Sequence, residues 1–481
     1  MTVIEHLVGG RWRAGGGAAI ADVEPARPGR EIASGTAATA AEVGDAVTAA
    51  RAAADAWMRT PYHERAGVLV RAAGLVDAAA DAWGAELAAE EGKTRPEGVG
   101  EVRRAAEILR YCAGEADREA GELYASPRRG ERILVTRRPL GVVAVVTPFN
   151  FPIAIPAWKI APALVHGNCV VWKPASTVPL LAMRLAAALQ DAGLPPGVLN
   201  LVVTDGRTGT ALVQHPGVDA VTFTGSTGVG RSIAASCAAR GVPVQAELGG
   251  KNAAVVLADA DLDLAAEQVL LGAFRSSGQK CTATSRLVVD ARVADGFVAE
   301  VARRADALVV GDPLADGVQM GPLVTAAAAR TVTEGVGSAV AQGARPLTVR
   351  DERPGGELAD GYFVPPAVLE LPTTGLALWR EELFGPVLAV VRAGSTAEAF
   401  ALAADTDYGL SAAVFTTDLG AALDAVDALD VGVLHVNSET AGADPHVPFG
   451  GARHSGYGPK EQGRASREFF THTTTVYLRG R

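Results

Sequence analysis

The sequence predicts an α/β protein with two α/β domains, on three observations. Its 481 residues exceed the roughly 250–300 at which one hydrophobic core stops growing. From residue 141 to about 260, apolar runs rich in Val alternate with segments of helical periodicity, the pattern of βαβ units around a parallel sheet. A second α/β stretch runs from about residue 253 to 436. Hydrophobic residues make up 48% of the chain, ample for cores of this size.

Residues 40–112 are Ala-rich with apolar positions at helical spacing and read as two or three helices. Pro139 and Gly141 punctuate two strand-like runs, 132–136 and 141–146. There follow a strand at 169–172, a helix over 180–192, a strand at 198–202, a helix near 208–214 and a strand at 220–223. In the second stretch strands are expected at 253–257, 286–289, 387–391 and 433–436, and residues 353–356 form a surface loop. The Thr-rich segment 468–477 favours a strand, which adds either to its own domain or to a neighbouring subunit's sheet.

The 44 basic and 54 acidic residues give a net charge of −10 with the signs interspersed. No broad basic face is offered to nucleic acid, and a small-molecule substrate is expected. Cys112, Cys169, Cys237 and Cys281 form no Cys-x-x-Cys pair, so neither a metal site nor a disulfide framework is indicated. No leader-like N-terminus and no apolar run of about eighteen residues is found, so no membrane span and a cytoplasmic location are expected.

Cys281 lies in a Gly-Gln-Lys-Cys run, 34 positions after Glu247. A thiol with a carboxylate near it points to covalent catalysis with a general base. Alone, a Cys in an apolar run is more often a small buried hydrophobe. The run 223–230, Gly-rich after a strand and before a helix, suits a phosphate on free backbone amides, although such glycines also serve tight packing. Lys173 ends another strand, near where open α/β sheets bind nucleotides; otherwise it is an ordinary surface Lys. Asn150, between Pro148 and Pro152, is a candidate oxyanion donor, or an Asn that satisfies its own turn.

Seven motifs join these readings: TPFNFP at 147–152, WKPAS at 172–176, FTGSTGVG at 223–230, ELGGK at 247–251, GQKC at 278–281, EELFGPV at 381–387 and PFGGARHSGYG at 448–458. In this order they resemble the aldehyde dehydrogenase superfamily over essentially the whole chain. The resemblance implies a Rossmann-like NAD(P)-binding domain (1–116 and 139–249), an α/β catalytic domain (250–450) and a small β oligomerisation domain (117–138 and 465–481) of a homodimer or homotetramer. It implies Cys281 as nucleophile, Glu247 as general base, Asn150 and the Cys281 amide as oxyanion donors, and Glu461, by looser alignment, as a proton relay or else a solvated helix-start residue. For the cofactor it implies Thr147, Pro148, Phe149, Lys173, Ala175, Ser176, Arg207, Gly225, Ser226, Leu248, Gly249, Glu382 and Phe384. Relatives strict for NAD commonly carry Glu at the position of Ser176. The neutral Ser176, with Lys173 and Arg207 supplying positive charge, favours NADP over NAD.

Within the superfamily the stretches 150–162 and 441–448 and the ending 458–463 look most like α-ketoglutaric semialdehyde (2,5-dioxopentanoate) dehydrogenases. The carboxylate of that substrate calls for a cation, and Arg275, His446 and Arg453 are the candidates, with Phe151 a further substrate-side candidate. Each is otherwise a surface or interface charge. Ala157-Trp158-Lys159 departs from the Arg that succinate semialdehyde enzymes often carry there, and it leaves an aromatic or aliphatic aldehyde open. Acylating relatives lack the carboxylate of Glu247, so a free acid is the expected product. A non-catalytic structural relative would be free to lose Cys281, Glu247 and Asn150, and all three are present.

Overall fold

A computed structural model describes residues 2–480. Its first sheet has eight strands, with a parallel centre ordered Val244–Glu247, Ala220–Thr224, Val142–Val146, Cys169–Lys173 and Leu199–Leu201. Val142–Val146, the first of these in sequence, lies between the second and the fourth. The chain therefore winds outward in both directions from it, and its C-terminal end is the switch point at which such sheets bind ligands. Val142, Val143, Ala144 and Val145 are wholly buried, as expected of a parallel strand covered on both faces.

Four helices stand where two or three were expected: Ala40–Arg59, Tyr62–Ala78, Ala80–Glu91 and Arg95–Ala113. The periodicity runs on through short breaks at 60–61, 79 and 92–94, which leave little trace in the apolar pattern. Capping boxes start the first and last of them, Thr39 with Glu42 and Thr94 with Glu97. Helix Arg95–Ala113 also packs on helix Ala154–Val165, which follows the switch-point strand.

The second sheet has seven strands, ordered Arg345–Pro346, Ala367–Glu370, Val387–Ala393, Thr284–Asp290, Asn252–Val256, Ser411–Phe415 and Val433–Val436. Alternate side chains enter two separate cores: Ala253, Val255, Ala412 and Val414 on one face, Ala254, Val256, Ala413 and Phe415 on the other. Ala367–Glu370 and Ser411–Phe415 were not anticipated. In Ser411–Phe415 a Ser and two Ala give little β-propensity, and burial between neighbouring strands decides the conformation instead. The short strands between Thr2 and Thr36 were likewise missed.

A third sheet joins Gly121–Tyr124, Glu131–Pro139 and Thr471–Arg479, all antiparallel. The C-terminal strand thus adds to a hairpin of its own chain. The expected strand over 468–477 starts too early: residues 468–470 finish the helix Gly463–Phe470, where Phe469 and Phe470 are buried in the first core. Among the described residues no helix is long and apolar enough to cross a membrane.

Candidate active site

A cleft of about 790 Å³ opens at the switch point. Thr147, Pro148, Phe149 and Asn150 reach it from the loop after Val142–Val146, Lys173 and Ala175 from the next strand, and Gly225 and Ser226 from the loop before helix Thr227–Arg240. Leu248 and Gly249 follow Val244–Glu247, Cys281 precedes Thr284–Asp290 of the second sheet, and Glu382 and Phe384 precede its strand Val387–Ala393. Four segments that follow strands of one sheet and two segments of the other therefore converge on one space.

Ser226 caps helix Thr227–Arg240 without a side-chain hydrogen bond, so the first amides of that helix are open to an anion. A methyl at Gly209 would stand 3.1 Å from Lys173 Cε, and one at Gly249 would meet the Glu382 carboxylate, so a side chain at either position would displace a charged group of the cleft. Lys173 Nζ donates to Pro174 O at 3.1 Å, and burial lowers its pKa. Glu382 Oε1 accepts from Gly250 N at 2.9 Å, and burial pushes its pKa to about 7. Phe384 meets Phe149 edge-on at 5.8 Å and sits at φ +54°, a strained backbone of the kind found where function fixes a residue. An anion-binding helix start, a cation, an acid and apolar walls fit a nicotinamide dinucleotide. Ser176 adjoins Ala175 but does not itself line the cleft, and Arg207 lies exposed beside lining Gly206.

Cys281 opens onto the cleft and is otherwise enclosed by protein. Burial first, then the charges of Glu382 and Glu247, push its thiol up to about 12. Asn252 fixes the loop by donating from Nδ2 to the carbonyls of Cys281 at 2.8 Å and Ala283 at 2.9 Å. Asn150 is buried, and its Nδ2 donates to Gln279 O at 2.9 Å; the second amide hydrogen remains for a ligand.

Glu247 is buried and is not part of the cleft wall. Its carboxylate accepts from Gly451 N at 3.1 Å and from Gln245 Nε2 at 3.2 Å. Burial, then the charge of Glu461, raises its pKa well above the carboxylate range. Glu461 is not a solvated helix-start residue: it is buried and accepts from Lys159 Nζ at 2.8 Å. Lys159 also donates to Gln245 Oε1 at 3.1 Å, which links the two acids through one cation. Gln245 carries no sign in the sequence, and Lys159 stands out there only as a departure from an Arg, although a lone Lys on the apolar helix Ala154–Val165 is a sign of a buried charge.

The substrate-side candidates do not converge. Arg275 precedes Cys281 on a short turn and bonds Glu439 at 3.3 Å, with Glu97 at 3.8 Å, and like the other candidates it does not line the cleft. Arg453, expected near the substrate, instead bonds Asp430 at 3.0 Å and the carbonyls of Ala404 and Thr406, outside the cleft. His446 is exposed on a loop, also outside the cleft. Phe151 lies under Lys93 Nζ, 4.3 Å from its ring centroid, rather than on the cleft wall. Both Arg453 and Phe151 are drawn away by partners that the sequence does not place beside them. Among the described residues no group of three or more His, Cys, Asp or Glu is placed to hold a metal ion.

The model of the aldehyde dehydrogenase family matches residues 12–476. An alpha-ketoglutaric semialdehyde dehydrogenase of Bacillus subtilis (strain 168) is 41% identical over 442 residues, which cover 92% of this chain and 91% of the relative. A phenylacetaldehyde dehydrogenase of Pseudomonas fluorescens is 39% identical over 438 residues, 89% of this chain and 86% of the relative. Among solved structures, betaine aldehyde dehydrogenase of Staphylococcus aureus in complex with NAD+ superposes with a TM-score of 0.95 at 29% identity, covering 99% of this chain and 95% of that one.

Proposed function

The chain belongs to the aldehyde dehydrogenase family and is an oxidoreductase acting on an aldehyde group, and from that premise we propose that it oxidises α-ketoglutaric semialdehyde to the free acid, with NADP preferred over NAD. The observation that carries the chemistry is the meeting of Cys281 and the Asn150 amide on one cleft, with the carboxylate of Glu247 behind it. The Cys281 sulfur forms a bond to the aldehyde carbon. The thiol proton passes to a base; the sulfur feels the charges of Glu382 and then Glu247, and burial makes Glu247 more basic. The developing oxyanion takes hydrogen bonds from Asn150 and from the Cys281 amide, each donor worth about 3 kcal/mol. A nicotinamide dinucleotide held by the cleft would supply the hydride acceptor for the former aldehyde carbon. Glu247 then takes a proton from water as its oxygen attacks the Cys281 thioester, and the carboxylic acid leaves with the thiol restored. Lys159 and Glu461 give the proton a route away from Glu247.

Thr147, Pro148, Phe149, Ala175, Gly225, Leu248, Gly249 and Phe384 would wall the dinucleotide, Ser226 and its helix would hold the pyrophosphate, and Lys173 and Glu382 the two riboses. No carboxylate stands at Ser176 to repel a 2′-phosphate, and exposed Arg207 is close enough to the rim to attract one. The substrate reading rests on the Bacillus subtilis relative and on Arg275, the one candidate cation in the segment that leads to Cys281. Its ion pair with Glu439 is half-exposed and therefore of low net strength, so a substrate carboxylate can compete for the guanidinium. Exposed apolar residues on the helix Leu419–Ala428 (Leu419, Leu423, Val426) and at the ends of the third sheet (Leu123, Tyr124, Tyr477, Leu478) suit contact with a second copy of the chain. Initial rates on 2,5-dioxopentanoate, succinate semialdehyde, phenylacetaldehyde and benzaldehyde, each with NAD and NADP, test the reading. The highest kcat/KM is expected for 2,5-dioxopentanoate with NADP, and a place among the poorest substrates would overturn it.

A further inference from the structure

Lys93 is 2% exposed and lies outside the cleft, yet it touches the loop that carries Asn150. Its Nζ donates to the Asn150 carbonyl at 2.7 Å and to Glu101 Oε2 at 2.6 Å, and it caps the Phe151 ring. Glu101 Oε1 in turn accepts from the amides of Ile153 at 3.1 Å and Ala154 at 3.2 Å. One turn before Glu101 on the same helix, Glu97 Oε1 accepts from Ser276 N at 2.8 Å. Ser276 and its neighbour Ser277 hold φ of +52° and +53° in the turn leading to Cys281. The start of helix Arg95–Ala113 and the residue before its cap thus grip both loops that meet at the reacting carbon.

Stability alone is a poor reason for such a pair. A buried ion pair often contributes no more than apolar side chains of the same volume. Its geometry, in contrast, sets one peptide plane: with the Asn150 carbonyl fixed by Lys93 and its side chain by Gln279, the remaining amide hydrogen has a single direction. We infer that Lys93 is a positioning residue for the reaction, acting through Asn150 by holding the Asn150 carbonyl, with Glu101 keeping the ammonium in place. The inference rests on the reading of Asn150 as oxyanion donor.

The test is a double-mutant cycle on the full chain with Lys93→Met and Asn150→Ala, measuring kcat, the dissociation constant of NADP and Tm. Lys93→Met is expected to lower kcat at least about tenfold, the scale of a donor displaced by a fraction of an ångström, with cofactor affinity unchanged within about twofold. In the Asn150→Ala background the same substitution should then cost less than about twofold. An equal loss in both backgrounds, or no loss of kcat, overturns the inference. Should Lys93→Met fail to fold, the paired Lys93→Met/Glu101→Met variant, which replaces the ion pair with apolar side chains, takes its place in the same cycle. Asn150→Ala alone separates the two claims: full activity there removes the oxyanion reading and the inference with it, whereas a loss there combined with additivity removes only the inference.

Discussion

The reacting end of the site and the end expected to recognise the rest of the substrate are built differently. Asn150 is held through its side chain by Gln279 and through its carbonyl by Lys93. Cys281 is held through its carbonyl by Asn252, and Glu247 by Gly451 and Gln245. Arg275, by contrast, is half-exposed and shared between two carboxylates, and Arg453 serves Asp430 well outside the cleft. Bond-making tolerates little misplacement, so its groups are fixed by neighbours deep in the fold. Recognition of a substrate's far end is served by more exposed groups, which trade one ionic partner for another at modest cost.

Substitution at the reacting end should have the largest effect. Cys281→Ala is expected to lower kcat/KM for any aldehyde by at least about 10³-fold while NADP still binds; oxidation rates within tenfold of the parent protein would break the contrast. The high thiol pKa makes the next difference. Because burial and nearby carboxylates push Cys281 up to about 12, the neutral thiol dominates below that pH and the thiolate fraction grows as pH rises. In cofactor-free protein, alkylation of Cys281 by iodoacetamide should accelerate about tenfold per pH unit between pH 7 and 9. A plateau in that window would show a thiol already ionised. At the recognising end the effects should be smaller and selective. Arg275→Ala should raise KM for 2,5-dioxopentanoate about tenfold and leave that for phenylacetaldehyde unchanged, while Arg453→Ala should alter neither. Equal effects of the two substitutions would remove Arg275 as the anchor.

Legibility in the sequence followed the same division. The parallel strands of the first sheet are runs such as Val142–Val146, whose composition alone announces burial on both faces. The cleft loops follow those strands directly, so the motif residues from Thr147 to Ser226 could be placed by position along the chain. Ser411–Phe415 was hidden because its small side chains become strand only through their neighbours on both sides. Lys93, Glu101 and Lys159 were hidden because each partner lies between 8 and 302 positions away. The same holds for Arg453, whose link to Asp430 spans 23 positions and turns it from the cleft.

Glu247 is the residue expected to separate release of a free acid from mere formation of a Cys281 thioester. The direct measurement is pre-steady-state NADPH formation by Glu247→Gln with excess aldehyde, together with the intact mass of the protein. The expected result is a burst of about one NADPH per active site, a steady state about 10²–10⁴-fold slower than that of the parent protein, and an acyl adduct on Cys281. Undiminished steady turnover, or a slow reaction with neither burst nor adduct, would contradict it.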